Sequence, residues 1–85
     1  MSGEAMLLEA AKIVEQRRQV YGDAAPLMAT VAQRWSIALG RPITPAQVVL
    51  CLIDLKLARL SHDPTHADSI VDVAGYAAVL QEVSR

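Results

Sequence analysis

ITPAQVVLCLIDLKLARL, residues 43–60, decides the fold of this chain. Thr44 is a favourable N-cap residue, Pro45 suits the first position of a helix, and Gln47 stands three residues after the cap. This pattern predicts a capping box and a helix that begins at Pro45. Between positions 46 and 60 almost every side chain is apolar, so we expect this helix to be buried on nearly all sides.

The rest of the chain predicts three more helices joined by short loops. Apolar residues recur at three-and-four spacing in each, and no stretch alternates as a half-buried strand does. Gly22 is suited to end the first helix and Asp23 to cap the second. The first predicted helix runs from Glu4 to about Val20, and the last runs from about Ala67 to Val83. The second lies between Asp23 and Gly40, which flank it as its predicted caps. The prediction is a single all-α domain over residues 1–85, in which antiparallel helical hairpins form a small bundle.

The composition indicates that this bundle does not stand alone. A domain of 85 residues has a small interior, yet 53% of its residues are hydrophobic. We therefore expect oligomerisation, to a dimer or larger, to cover part of the apolar surface. The single cysteine, Cys51, lies in an apolar run and is expected to be buried. With no partner for a disulfide inside the chain, it fits a cytoplasmic protein.

Charge and hydropathy disfavour two classes of partner. Eight basic and nine acidic residues give a formal charge of −1 without a basic block, which argues against nucleic-acid binding. The longest apolar run, at 48–53, is far shorter than the roughly 20 residues of a membrane-spanning helix. The first residues, MSGEAMLLEAA, lack the basic region of a signal peptide. We expect neither a nucleic-acid partner nor a membrane.

Four charged residues are placed to meet across the hairpin of the third and fourth helices. Because the loop between these helices is short, residues that face each other should have numbers that sum to about 128. Lys56 then faces Asp72, and Arg59 lies opposite Asp68 or the residue after it. Such a set is either an internal ion-pair cluster or the wall of a ligand cleft, and the sequence leaves both interpretations open.

A ligand-binding interpretation assigns a role to each of these residues. Asp68 and Asp72 are one helical turn apart, and two such carboxylates can hold Mg²⁺ together with its water ligands. Lys56 and Arg59 are suited to phosphate oxygens. Tyr76 continues the aspartate row by one turn. The sequence therefore predicts a site on the third and fourth helices.

A second group of candidate residues lies in RRQVYGD, residues 17–23. Gly22 and Asp23 are residues that any junction between two helices would use, so turn formation alone explains them. The alternative is that Arg17, Tyr21 and Asp23 line one end of the same cleft. Both explanations are compatible with the spacing.

The chain resembles an uncharacterised family of small phage and prophage proteins. The resemblance covers most of the chain and rests on five motifs in order: RRQVYGD at 17–23, RWS at 34–36, ITPAQVV at 43–49, DLKLARL at 54–60 and HADSIVDVAGYA at 66–77. It implies a phage or prophage accessory protein that works in the cytoplasm of a bacterial host cell.

A more distant resemblance points to nucleotides. The pattern K-x-x-R-L followed by D-S-x-x-D-x-x-x-Y-A is similar to nucleotide-modification-associated domains of phages and to MazG-like all-α pyrophosphohydrolases. In the latter, carboxylates from two adjacent helices hold Mg²⁺ against a nucleoside triphosphate. Asp68 and Asp72 match the second acidic motif of these enzymes, whereas the first, Glu-Glu-x-x-Glu, is absent. The resemblance implies a nucleotide site and leaves open whether the chain is an enzyme.

Two hypotheses of function follow. In the first, the protein has a nucleotide- or phosphate-binding site on the hairpin of the third and fourth helices. In the second, it is a non-catalytic oligomeric interaction module that binds a host or phage protein, and the charge cluster is structural.

Overall fold

A computed structural model of the protein describes residues 2–84. Its four helices are α1 (Gly3–Tyr21), α2 (Ala24–Leu39), α3 (Pro45–His62) and α4 (Ala67–Val83). There is no strand within the described range. The predicted all-α fold of four helices is confirmed.

α4 is the central helix of the bundle. It packs against α3, α1 and α2, and α3 also packs against α2. α1 makes its extensive contacts with α4 alone. The bundle therefore consists of a tightly joined α2, α3 and α4, with α1 laid along one side of α4.

The N-terminus of α3 has the capping box that its sequence predicts. Gln47 N–H donates to Thr44 Oγ1 at 3.1 Å, and Thr44 N–H donates to Gln47 Oε1 at 2.9 Å. Two backbone donors that a helix end would leave free are thus satisfied. The preceding helix, α2, ends at its C-cap residue Gly40, whose left-handed conformation closes the helix as predicted.

Replacing Thr44 with alanine is expected to lower the free energy of unfolding by about 1 kcal/mol, since the Gln47 N–H loses its acceptor. Urea denaturation followed by circular dichroism would measure the loss. Thr44→Ser keeps the hydroxyl and is the matched control, with nearly full stability expected. Equal stability of the alanine and serine variants would contradict a role for the cap.

The junction between α1 and α2 differs in part from its prediction. Gly22 ends α1 with φ of 82°, but its ψ of −174° is extended and not left-handed helical. Asp23 occupies the N-cap position of α2, yet its side chain makes no capping hydrogen bond. The Asp23 carboxylate instead lies 3.7 Å from Nε of Arg18. Asp23 thus stands at the predicted N-cap position, but its carboxylate lies near Arg18 of α1 and does not accept from the backbone N–H groups of α2.

The core forms where α2 and α3 meet α4. Met28 and Ala32 from α2 and Val48 and Val49 from α3 are its buried centre. Trp35 is partly buried against this cluster.

α3 is less buried than its sequence predicts. α2 and α4 cover one side of α3, and α1 lies against α4. Leu50, Leu55 and Leu57 are consequently exposed on the other side. Cys51, predicted to be buried, is exposed as well. The apolar outer face of α3 thus has no partner helix within residues 2–84.

Candidate functional site

Lys56 and Asp72 form the predicted ion pair between α3 and α4. Lys56 Nζ lies 3.0 Å from Asp72 Oδ2, and the two side chains are only 13% and 17% exposed. The close contact confirms one of the two predicted facing pairs of the α3–α4 hairpin. This half of the charge cluster is largely closed to solvent.

Arg17 reaches the same carboxylate from α1. Its Nη2 lies 3.7 Å from Asp72 Oδ1, and its side chain is 53% exposed. Asp72 therefore stands between an inner lysine and an outer arginine. The distance to Arg17 is longer than the roughly 2.7–2.9 Å of a charge-assisted hydrogen bond, so this guanidinium is loosely held.

Arg59 and Asp68 do not join the cluster. Both side chains are exposed, and no ion pair connects them within the described range. The residue that points inward at this level of α4 is Ser69, which is buried and whose Oγ lies 2.7 Å from His66 Nδ1. One step along a helix turns a side chain by about 100°, which carries Asp68 away from α3 when Ser69 faces it.

Arg59 lies instead beside the loop that joins α3 to α4. A shallow surface pocket there is lined by Arg59, His62, Asp63 and His66. Thr65 donates to Asp63 Oδ1 from its hydroxyl at 2.7 Å and from its backbone N–H at 3.0 Å. The hydroxyl bond, followed by the backbone bond, lowers the pKa of the Asp63 carboxyl. Asp63 thus organises its own loop.

A cleft of about 440 Å³ opens between α1, α2 and α4. Its walls are mainly apolar, and its polar lining combines two arginines, two carboxylates and two tyrosines. The lining residues are Ile13, Val14, Arg17, Arg18, Tyr21, Gly22, Ala24, Leu27, Met28, Val71, Asp72, Gly75, Tyr76, Val79 and Glu82.

The cleft brings together residues of both candidate groups, although Asp23 is not among its lining residues. Arg17 and Tyr21 come from α1, and Asp72 and Tyr76 from α4. Lys56 adjoins the cleft only through its ion pair with Asp72. The cleft therefore lies on the α1–α4 side of α4, and Lys56, Arg59 and Asp68 are not among its lining residues.

Arg18 and Glu82 are cleft residues that the sequence reasoning missed. Arg18 Nη2 donates to Glu82 Oε1 at 2.6 Å, and its Nη1 donates to Glu15 Oε2 at 2.9 Å. With Asp23 at 3.7 Å, three carboxylates surround this guanidinium. The i, i+3 spacing of Glu15 and Arg18 was a signal for half of this network.

The predicted Mg²⁺ site has a sparse set of ligands. No three His, Cys, Asp or Glu side chains in the described part of the chain are close enough to share a metal ion. Asp72 is engaged by Lys56 and Arg17, and Asp68 is exposed outside the cleft. Mg²⁺ bound by Asp68 and Asp72 through its waters stays a prediction.

Among residues 2–84, no helix combines the length and apolar character needed to cross a bilayer.

Comparison with known proteins agrees with the resemblance to uncharacterised phage proteins. The chain is 41% identical over 69 residues to the Gene 55 protein of Mycobacterium phage L5, an alignment that covers 80% of the chain and 44% of that protein. The chain thus spans less than half the length of this curated relative. No solved structure matches the chain. The family model described as a domain of unknown function (DUF6378) matches residues 5–84, and the chain belongs to this family.

Proposed function

We propose that the chain is a phage or prophage protein that binds a nucleotide, or a related ligand with a phosphate group, in the cleft between α1 and α4. The observation that carries this proposal is Arg17. Its guanidinium is half exposed at the mouth of the cleft and is only loosely held by Asp72. A guanidinium in this state is available to the oxygens of a phosphate group.

The size and lining of the cleft support a small organic ligand. Its volume of about 440 Å³ falls in the range of roughly 300–1,000 Å³ that is usual for such sites. Tyr21 and Tyr76 line it together with apolar side chains. An aromatic ring can stack on a base, and such stacking tolerates different bases. The proposed ligand places its base against these walls and its phosphate at Arg17.

The arrangement favours binding over hydrolysis. Asp72 is neutralised by Lys56, and the carboxylate of Glu82 is held by Arg18. The acidic motif that MazG-like enzymes carry on the neighbouring helix is absent from α3, so the similarity to these enzymes and their pyrophosphohydrolase activity stay predictions. A role for Mg²⁺ is part of the proposal to be tested and is not required by it.

Replacing Arg17 with glutamine is expected to weaken nucleotide binding at least tenfold, because a hydrogen bond to a charged group contributes about 1.5–3 kcal/mol. Isothermal titration with nucleoside mono-, di- and triphosphates and their deoxy forms, with and without Mg²⁺, would measure the change. Arg34→Gln is the matched control, since Arg34 is an exposed residue of α2 outside the cleft. Its affinity should equal that of the unchanged protein.

Two results would decide against parts of this proposal. If no nucleotide in the panel binds to the unchanged protein, the proposed function is lost. If binding is equally tight with and without Mg²⁺, and Asp68→Asn has no effect, the predicted metal site is lost and the nucleotide site stands.

A second candidate function is the binding of a host or phage protein. The observation that favours it is the exposure of large apolar side chains on α1 and α2, of which Ile37 is 84% exposed. Leu7 and Leu8 are exposed on α1. In that case Ile37→Ser would weaken capture of the partner protein, whereas Arg17→Gln would not.

A further inference from the structure

We infer that the outer face of α3 is a self-association surface, on which the α3 helix of a second copy of this chain packs in the antiparallel direction around a two-fold axis. This outer face consists of exposed residues along nearly the whole helix: Gln47, Leu50, Cys51, Asp54, Leu57, Ala58 and Ser61. The inference is independent of the cleft, which lies on the α1 side of α4.

The spacing along the outer face is that of a helix–helix seam. Positions 47, 50, 54, 57 and 61 alternate steps of three and four, as in the a and d positions of a coiled coil. Leu50 and Leu57 occupy equivalent positions seven residues apart and are 48% and 47% exposed. Cys51 and Ala58 are the small residues beside them. Alternating large and small side chains allow two such helices to interdigitate at close range.

The excess of exposed surface area on the single chain is close to the area that a dimer interface would cover. A folded protein of 9.2 kDa is expected to expose about 4,900 Å². This chain exposes 5880 Å², which is roughly 1,000 Å² more than that expectation. An ordinary protein–protein interface covers about 800 Å² on each partner. The excess is therefore close to one interface per chain.

A second copy is the partner that this face fits best. The C2 dimer is the commonest assembly of soluble proteins, and it requires a surface that is complementary to itself. The seam meets this requirement, because leucines of one helix can pack over the small residues of the other. Asp54 at its centre is its only charged residue, and the uncharged polar side chains of Gln47 and Ser61 stand at its two ends. A polar residue at one central seam position fixes register and partner number at some expense in stability.

The test is the mass of the intact chain by sedimentation equilibrium. The unchanged protein is expected at twice 9.2 kDa. Leu57→Glu should weaken association at least tenfold, because it places a charge in the apolar seam. Ile37→Glu, a substitution at a more exposed residue of α2, is the matched control and should leave the dimer intact. Circular dichroism would verify that both variants fold.

Two further measurements keep the inference falsifiable. Asp54→Asn removes the seam charge and should tighten the dimer. The thiol of Cys51, the only cysteine, is exposed in the single chain and should react with a maleimide more slowly in the dimer than in Leu57→Glu, because the partner helix covers it. A monomer of 9.2 kDa at the highest soluble concentration would overturn the inference. A dimer that Ile37→Glu dissociates and Leu57→Glu does not would overturn it too.

Discussion

Replacing Lys56 with methionine is expected to lower the free energy of unfolding by about 3 kcal/mol, the low end of the usual range for removing one partner of a buried ion pair. The reason is the carboxylate of Asp72, which is 17% exposed and would keep its charge without its closest counter-ion. Arg17 remains 3.7 Å from the same carboxylate and limits the loss. In a domain of this size the melting temperature should fall by roughly 12–24 °C.

A double variant separates the effect of charge pairing on stability from the effect of lysine packing. Adding Asp72→Asn to Lys56→Met removes both charges, and the double variant should recover most of the lost stability, because neutral groups cost less to bury than unpaired ions. Arg59→Met changes an exposed residue of the same helix and should stay within about 0.5 kcal/mol of the unchanged protein. Thermal unfolding of the unchanged protein and these three variants would measure the differences. A double variant as unstable as Lys56→Met would show that lysine packing, and not charge pairing, is what α3 and α4 require.

Replacing Met28 with alanine is also expected to cost about 3 kcal/mol, within the range of large-to-small substitutions in protein cores. Met28 belongs to the buried centre of the core and also forms part of the cleft lining. Its truncation removes apolar contacts between α2 and the other helices and leaves a cavity beneath the cleft.

Leu27→Ala is the matched control for Met28→Ala. Leu27 is the preceding residue and lines the same cleft, but it is exposed. Its truncation should cost about 1 kcal/mol or less. Urea denaturation of both variants would compare them. Equal losses would mean that the cleft floor is not part of the cooperative core.

Some features of the fold were predictable because their causes are local. Thr44, Pro45 and Gln47 lie within four positions, and their hydrogen-bonding groups can meet only if a helix begins there. The contact between Lys56 and Asp72 was predictable from the short loop alone. A short loop between two helices sets which residues stand at the same height, whatever the rest of the protein does.

The same argument failed for Arg59 and Asp68 because it fixes only the position of each residue along its helix axis. The rotation of each helix about its axis decides which side chains face each other, and this rotation is set by packing against the remaining helices. α4 turns Ser69 inward, which leaves Asp68 in solvent. No local pattern in the sequence predicts how α4 is rotated about its axis.

The cleft and the exposure of α3 depend on how distant segments pack. Arg18 and Glu82 are 64 positions apart, so their contact could not be inferred from spacing. Arg17 and Tyr21 were placed in one cleft with Asp72 as an interpretation of motifs, and the geometry now joins them. The apolar character of α3 predicted burial on nearly all sides, which is wrong for the single chain, since Leu50, Leu55 and Leu57 are exposed. It could not say whether the same chain or another one provides the cover.

The attachment of α1 has a consequence for how the cleft works. α1 makes its extensive contacts with α4 alone and is joined to α2 through Gly22 and Asp23. A helix with one main packing surface can detach while the rest of the bundle stays folded, so we expect closed and open forms of the cleft to exchange. A ligand that touches both α1 and α4 binds the closed form and shifts this exchange towards it. Its measured affinity would then include the free energy of closing α1, and substitutions along the α1–α4 seam could change affinity without touching the ligand.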